Sequence, residues 1–153
     1  MTSPCLSCEI TSGQRDIGDG FIYENDYFHA HQDVAYPVAG QVIVAAKRHF
    51  KLLTEMSLAE MAAFLPLVQQ IRQQQLTVLG IEYVYYFYNE DTTHHFHLWM
   101  VPRYDWMSQF GKSVEAVRPA LYHARDKMNS EAHRLAVTQA AQKLKDAMAM
   151  LSE

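Results

Sequence analysis

The stretch HHFHLWMVPR, residues 94–103, places three histidines in four positions and then continues into an apolar run. The run predicts a β-strand that ends at Pro102, and side chains on a strand alternate between its two faces. The odd-numbered positions carry rings with polar nitrogens: His95, His97 and Trp99. The even-numbered positions suit a core face: Phe96, Leu98 and Met100. Because each imidazole nitrogen needs a partner, the histidines either meet water, are satisfied structurally or do chemistry.

The segments around this strand predict an antiparallel sheet. Runs rich in β-branched and aromatic residues mark further strands at residues 21–23, 27–31, 40–49 and 81–89. Ser57 and Glu60 have the spacing of a capping box, and Gly80 supplies a stop, so residues 57–79 predict a long helix. Its expected apolar face consists of Leu58, Met61, Leu65, Val68 and Ile71.

Two more helices are predicted over residues 114–127 and 130–151, after the last strand. Strands, one helix, a strand pair and then helices are typical of the α+β class. We therefore expect a sheet of about five antiparallel strands, with the long helix packed on it and the carboxy-terminal helices added.

Composition excludes several classes of protein. The 153 residues, 49% hydrophobic and 20% charged, predict a single globular domain over residues 1–153. The formal net charge of −4 does not suggest a nucleic-acid-binding surface. No apolar run reaches membrane-spanning length, and the start MTSPCLSCEI does not resemble a signal peptide. We expect a cytoplasmic protein with reduced cysteines and with neither nucleic-acid nor membrane partners.

Cys5 and Cys8 form a Cys-x-x-Cys pair ahead of the first strand. This spacing is compatible with a zinc half-site, a redox pair or coincidence. It differs from a thioredoxin-like motif because it does not lie within a βαβ unit. A zinc site needs two more ligands, and His49 and His95 are available downstream.

At this point the sequence resembles the histidine triad (HIT) superfamily. HFHLWMVPR is similar to its signature His-φ-His-φ-His-φ-φ, in which φ is apolar, and CLSCEITSG is similar to its Cys-x-x-Cys opening. Residues 28–49 resemble its strand-turn-strand block, which carries an aspartate, a proline and glycine turn, and a Lys-x-His end. The resemblance covers residues 5–104 and leaves 113–151 as a helical extension. It implies a HIT-like α+β fold and a homodimer formed by the long helix and the strand at 81–88.

The resemblance also implies roles for individual residues. His97 matches the middle histidine, the nucleophile that attacks an α-phosphate and forms a nucleotidyl-histidine intermediate. His95 matches the first histidine, which would join Cys5, Cys8 and His49 around a structural zinc ion in a closed Cys2His2 site. Asp33 matches the residue that holds the ribose hydroxyls. The positions that match the base pocket are Leu6, Ile10, His31 and Val34, with His31 in place of an apolar or aromatic residue.

The sequence departs from the family pattern at the third histidine, which is Trp99. An indole donates one hydrogen bond but cannot shuttle a proton. The loop YNEDTTHH is also shorter than the usual glycine-rich loop and leaves Asn89 and Thr92 as phosphate-binding candidates.

Three functions follow from these observations. The first is a nucleotide-phosphate hydrolase or nucleotidyl transferase that acts on a small nucleotide conjugate through His97. The second is a nucleotide-binding module with weak or lost catalysis because of Trp99. The third is a metallohydrolase in which His94, His95 and His97 hold a catalytic metal.

Overall fold

A five-stranded antiparallel sheet forms the centre of the protein, which a computed structural model describes for residues 5–92 and 94–152. The strands run in the order β1-β2-β3-β5-β4 across the sheet. Their bounds are β1 Phe21–Glu24, β2 Phe28–Gln32, β3 Val42–Ala46, β4 Val84–Phe87 and β5 His97–Pro102. The α+β class and the five antiparallel strands predicted from the sequence are confirmed.

The helices pack on both faces of this sheet. Their bounds are α1 Leu6–Thr11, α2 Leu58–Leu79, α3 Val114–Lys127 and α4 Glu131–Met150. The main core lies beneath α2 and α4, where Leu67, Ile71 and Leu144 pack against Phe28 and Met100. Within the described part of the chain, no helix is both long enough and apolar enough to cross a membrane.

Helix α2 begins and ends where the sequence predicts. Ser57 accepts a hydrogen bond from the Glu60 backbone N–H, and the Glu60 side chain accepts one from the Ser57 N–H, which completes the capping box. Gly80 ends the helix in the left-handed region, at φ 66°. Glu60 is also tied by two hydrogen bonds to the Arg48 guanidinium, which fixes the start of α2 beside residue 49.

The predicted apolar face of α2 is partly wrong. Val68 and Ile71 are buried as expected, but Leu58, Met61 and Leu65 are exposed by 83%, 49% and 68%. The buried face instead continues through Leu67 and Gln75. The helix carries two apolar stripes, and helical spacing alone cannot tell which of them meets the sheet.

The histidine stretch enters the sheet later than predicted, because β5 begins at His97 rather than at residue 94. The Phe96 backbone N–H donates to the Phe50 carbonyl, and the Ala46 carbonyl accepts a hydrogen bond from the imidazole of His95. The Ala46 N–H still donates to the Phe96 carbonyl, but the return bond of this pair is missing, so the regular ladder with β3 ends at Ala45 and His97. The alternation of faces is confirmed: Phe96 and Met100 lie in the main core, and Leu98 packs against it.

The opposite face of the sheet is only partly covered. Helix α3 packs there with Leu121 and Ala124 against Val101 and Met107, beside a short 3₁₀ segment at Asp105–Phe110. The sequence predicts a loop around Cys5 and Cys8, but the structure forms the short helix α1 there. Its N-cap Cys5 accepts a hydrogen bond from the Cys8 backbone N–H. Between α1 and α3 the sheet remains open as a cleft.

The loop that joins β2 to β3 is held by side chains from four separate parts of the fold. The carbonyls of residues 37–40 each accept one hydrogen bond from a side chain, at 2.5–2.9 Å. The donors, in the same order, are His133 of α4, Gln32 of β2, Tyr104 after β5 and Gln75 of α2. At Gly40, φ is +79° and an added Cβ would lie 2.8 Å from the side chain of Leu79, so this position requires glycine.

Candidate active site

The open part of the sheet forms a cleft of about 940 Å³, at the upper end of the size of small-molecule sites. Strand register sets its floor. His31 lies opposite Ile43, and Ile43 lies opposite Trp99, so these three side chains form one row across β2, β3 and β5. Ala45 lies between His29 and His97 in the next row. His95, His97 and Trp99 all line the cleft, which confirms the face predicted for them.

His97 is held in a defined tautomer. The backbone carbonyl of His95 accepts a hydrogen bond from Nδ1 of His97 at 3.0 Å. A carbonyl can only accept, so Nδ1 carries a hydrogen, and in the neutral form of the ring the lone pair lies on Nε2. The ring is half-buried at the start of β5 and lines the cleft. A nitrogen with this lone pair on a rigid strand has the properties of a nucleophile.

Cys5, Cys8, His49 and His95 come together at one end of the cleft. Their ligand atoms all lie within 4.8 Å of one another. The Cys8 sulfur is 3.1 Å from Nδ1 of His49 and 3.3 Å from Nδ1 of His95, and the two Nδ1 atoms are 3.2 Å apart. Bonds of about 2.0–2.3 Å to tetrahedral zinc place ligand atoms about 3.3–3.8 Å apart. The donor set and the spacing both fit a zinc ion.

The protonation of this cluster also fits a metal. Nε2 of His95 donates to the Ala46 carbonyl at 2.5 Å, which leaves the lone pair on Nδ1, the atom that faces the cysteines. Burial is the main reason why the pKa of His95 is lowered, so the ring is neutral. Burial and the neighbouring Cys5 raise the pKa of the Cys8 thiol to about 11. A bound cation reverses that shift, because it stabilises the thiolate.

Asp33 lies just after β2, in the wall of the cleft. Its Oδ1 accepts hydrogen bonds from the backbone N–H groups of Ala35 and Tyr36, and its Oδ2 accepts one from the Gln41 amide. Burial raises the pKa of this carboxyl, while the three hydrogen bonds oppose the rise. The carboxylate is thereby fixed in place, and Oδ2 retains capacity for a further donor.

The other residues expected at the site divide into two groups. Those that line the cleft are Leu6, Ile10, His31, Val34 and Thr92. Asn89 is not among the lining residues; its side-chain oxygen accepts hydrogen bonds from the backbone N–H and the hydroxyl of Thr92. His94 lies at the exposed rim, and neither His94 nor His97 belongs to the metal-ligand group found among the described residues.

Trp99 is anchored by other aromatic rings. Its ring centroid lies 5.4 Å from that of Phe87 and 5.9 Å from that of Tyr36. The indole also packs against the cluster beneath α3, and its centroid is 6.1 Å from that of His97. Trp99 is therefore a fixed part of the cleft wall beside His97.

The resemblance to the family singles out Gln41, which stands where a histidine is frequent, but it gives Gln41 no role. In the structure Gln41 is fully buried and orients Asp33. Sequence reasoning did not find Tyr36, which positions Trp99. Tyr36 carries no spacing or motif signal, because it acts through a residue that only the folded chain brings near.

Relatives of known sequence or structure resemble the chain over most of its length, although no protein-family model matches it. An uncharacterized HIT-like protein from Mycoplasma genitalium is 33% identical over 119 residues, which are 74% of this chain and 82% of that protein. A zinc-bound histidine triad family protein from Mycobacterium smegmatis has a similar structure, with a TM-score of 0.68, 23% identity, and coverage of 97% and 95% of the two chains. A hypothetical histidine triad nucleotide-binding protein from Sulfolobus tokodaii gives a TM-score of 0.64, 19% identity and 93% coverage of each chain.

Proposed function

This chain belongs to the histidine triad (HIT) family, and from that premise we propose that it is a nucleotide-phosphate hydrolase or nucleotidyl transferase that acts at an α-phosphate through His97. The observation that supports this most strongly is the fixed tautomer of His97, with Nδ1 bonded to the His95 carbonyl at 3.0 Å. That bond directs the lone pair of Nε2 away from the backbone. The substrate is a small nucleotide conjugate.

In the first step, Nε2 of His97 donates its electron pair to the α-phosphorus. The bond from phosphorus to the leaving group breaks, and that bond's electrons depart with the leaving group, which takes a proton from water. Hydrogen bonding from Nδ1 to the His95 carbonyl stabilises the positive charge that develops on the ring. In the second step, water or another acceptor attacks phosphorus, and the phosphorus–nitrogen bond breaks to restore His97.

We assign Cys5, Cys8, His49 and His95 to a structural zinc site. Zinc bound by four protein ligands in a closed sphere supplies mechanical cross-linking rather than an activated water. Three atoms of His95 make separate contacts. Nδ1 lies in the cluster, Nε2 donates to the Ala46 carbonyl of β3, and the backbone carbonyl accepts the hydrogen bond from His97. Fixing His95 thus also fixes the orientation of His97.

The remaining contacts are assigned to the nucleotide. Asp33 accepts the ribose hydroxyls at Oδ2, and Leu6, Ile10 and Val34 supply apolar walls for the base. Thr92 contributes its hydroxyl to the phosphate, and Asn89 orients Thr92. In this assignment Asn89 acts on the nucleotide only through Thr92.

A second candidate function is a nucleotide-binding module with weak turnover. The packing of Trp99 between Phe87 and Tyr36 favours it, because the indole fills space beside His97 and cannot protonate a leaving group. The same packing also suits an enzyme with a changed leaving group, since a fixed indole can stack on a substrate ring and donate one hydrogen bond. Asp33 and the metal ligands are retained, and we therefore favour the enzyme.

We further propose that the protein forms a homodimer. Exposed apolar side chains lie on the outer stripe of α2 and in or just before β4: Leu58, Met61, Leu65, Tyr83, Tyr86 and Phe87. β4 is also an edge strand of the sheet. Exposed apolar side chains and an unpaired strand edge are each typical of protein–protein interfaces. A twofold homodimer is also what the resemblance to the histidine triad family implies.

Covalent trapping tests the proposed function. The protein is mixed rapidly with nucleoside phosphoramidates, dinucleotides and nucleotide sugars, quenched, and analysed by intact mass and peptide mapping. We expect a nucleotidyl adduct on His97 and loss of both adduct and product release in His97→Ala. His123→Ala is the matched control, because His123 packs on Trp106 and Phe110 away from the cleft. Turnover by His97→Ala equal to that of the parent would show that His97 is not the nucleophile.

A further inference from the structure

Helix α3 carries basic and aromatic side chains on one face beside the open cleft. Arg118, Tyr122 and Arg125 are spaced by four and then three residues, so they lie next to one another along the helix. The guanidinium carbons of Arg118 and Arg125 lie 5.5 Å and 4.7 Å from the centroid of the Tyr122 ring. All three side chains are exposed. These residues, the α3 stripe, lie beyond residues 5–104, the part of the chain that carries the family resemblance.

A row of rings connects the α3 stripe with the nucleophile. The ring centroid of Tyr36 lies 6.3 Å from that of Tyr122 and 5.9 Å from that of Trp99. Trp99 in turn lies 6.1 Å from His97, centroid to centroid. Tyr36 and Trp99 both line the cleft. A leaving group that extends from His97 across Trp99 therefore reaches Tyr36 and then the α3 stripe.

The charges of the α3 stripe act on the wall of the cleft. Burial is the main reason why the pKa of Tyr36 is raised, and the positive charges of Arg125 and Arg118 oppose that rise. Fields of exposed charges are screened beyond about 10 Å at ordinary ionic strength. The two guanidinium groups are therefore close enough to attract an anion that is bound against Tyr36.

Both arginines are available to a ligand. Within the described part of the chain, Arg118 forms no ion pair. Arg125 pairs with the adjacent Asp126 at 2.8 Å, but both side chains are about half exposed, and such exposed pairs are weak. A guanidinium group binds phosphate oxygens through two parallel N–H donors, so the α3 stripe suits a phosphate group.

Trp99 restricts the leaving group independently of the α3 stripe. An amine leaves phosphorus readily only when it gains a proton, and the indole cannot supply one. A phosphate monoester leaves as an oxyanion, because its second pKa is about 6 and departure requires no proton. The two features therefore favour the same kind of leaving group, since α3 can bind an anion and Trp99 cannot protonate an amine.

We propose that the α3 stripe binds the leaving group and that this group is a phosphate monoester, so that the enzyme prefers phosphoanhydrides of a nucleotide to its phosphoramidates. In the first step the bond from the α-phosphorus to the bridging oxygen breaks, and both of its electrons stay on that oxygen. Arg118 and Arg125 balance the charge of the departing oxyanion, while Tyr122 and Tyr36 pack against its organic part. This inference rests on the proposed function, because it takes His97 as the nucleophile.

The test compares two substrates that transfer the same AMP unit and release different aromatic leaving groups. Diadenosine pyrophosphate releases the anion AMP, whereas the tryptamine phosphoramidate of AMP releases an amine. Changing both Arg118→Gln and Arg125→Gln should lower kcat/KM for the anhydride about tenfold and change that for the phosphoramidate by less than about twofold. The matched control changes Arg134→Gln and Lys143→Gln, which removes the same charge from exposed positions of α4 and should leave the ratio of the two values unaltered.

A second measurement needs no turnover. In His97→Ala, calorimetry should show that the anhydride binds about tenfold more tightly than the phosphoramidate. This difference should disappear when both arginines are changed, and it should shrink as salt is added, because salt screens the contact between guanidinium and phosphate.

The outcomes separate the inference from the proposed function. If the two arginine changes leave the kcat/KM ratio unaltered, lower both values equally, or leave the difference in affinity in place, the inference is wrong and the proposed function stands. Arginine-dependent binding of the anhydride without an adduct on His97 would refute the proposed function and leave the α3 stripe as a phosphate site. If there is neither an adduct nor arginine-dependent binding, both are wrong.

Discussion

Loss of the metal cluster should release α1 and weaken nucleotide binding, which makes Cys8→Ser an informative variant. Fixing the backbone of one residue costs about 1–2 kcal/mol, so the six residues of α1 cost about 6–12 kcal/mol. Ile10 is the one buried residue of this helix, and its burial returns about 1.5–3 kcal/mol. Coordination of structural zinc contributes about 10–16 kcal/mol in small zinc domains. With only Ile10 as an anchor, α1 should separate from the sheet.

Separation of α1 should weaken nucleotide binding, because α1 supplies part of the cleft wall. Leu6 and Ile10 line the cleft, and a nucleotide that no longer contacts them should bind at least tenfold more weakly. A tenfold loss, about 1.4 kcal/mol, equals the burial of roughly 55 Å² of apolar surface, less than half of what one aromatic residue buries.

The assay combines calorimetry with hydrogen exchange. AMP is titrated into zinc-loaded wild-type protein, chelator-treated protein and Cys8→Ser, with Ser12→Ala at the exposed end of α1 as the matched control. The amides of Glu9 and Ser12, which donate to the Cys5 and Cys8 carbonyls, should lose protection in Cys8→Ser. Metal analysis should find one zinc ion per wild-type chain. Unchanged AMP affinity and unchanged protection in a metal-free sample would refute the reasoning.

Three further predictions concern assembly, pH and the cleft wall. Leu65→Glu places a charge on the outer stripe of α2 and should convert a dimer to a monomer in sedimentation, whereas Leu135→Glu, on exposed α4 surface, should not; a wild-type monomer at all concentrations would reject the dimer. Because burial lowers the pKa of His31 to about 3, the folded ring stays neutral while the unfolded chain takes up a proton below 6.5. As the pH falls from 6.5 to about 5, the free energy of unfolding in urea should therefore decrease more steeply in wild type than in His31→Phe, and the difference in slope should approach about 1.4 kcal/mol per pH unit; equal slopes would contradict this. Trp99→His should raise the measured rate of hydrolysis of simple adenylates if the indole fills the leaving-group site. The same change should lower activity on the true substrate if the indole contacts the leaving group of that substrate.

The sheet and the candidate metal ligands can be predicted from the sequence because local patterns encode them. Alternation in residues 95–100 predicts which rings share the cleft, and the capping box at Ser57 fixes the start of α2. The cluster of Cys5 and Cys8 with two distant histidines follows from ligand chemistry once the resemblance is recognised. The extent of the single domain and the roles of the nucleotide-contacting residues remain predictions.

The predicted face of α2 and the predicted start of β5 are wrong because tertiary contacts override a local sequence pattern. Leu58, Met61 and Leu65 have ideal helical spacing, yet the sheet packs on the neighbouring stripe, which includes the polar Gln75. β5 begins late because the Phe96 N–H donates to the Phe50 carbonyl and the imidazole of His95 takes the Ala46 carbonyl, and both contacts exist only in the folded chain. The pairing of His29 with His31 was equally hidden, since strand spacing places them on one face but does not reveal which nitrogens meet.

The four side-chain donors that hold the carbonyls of residues 37–40 determine when the loop between β2 and β3 can be completed during folding. They come from positions 32, 75, 104 and 133, so the loop after Asp33 is complete only when β2, α2, the segment after β5 and α4 have all docked. Residue 133 follows the last residue of β5 by 31 positions (133 − 102), so all five strands are synthesised before the fourth donor of this loop. If Asp33 holds a nucleotide as proposed, binding and the docking of α4 should be linked reciprocally: a nucleotide in the cleft should protect α4 from opening, although α4 contributes no residue to the cleft wall.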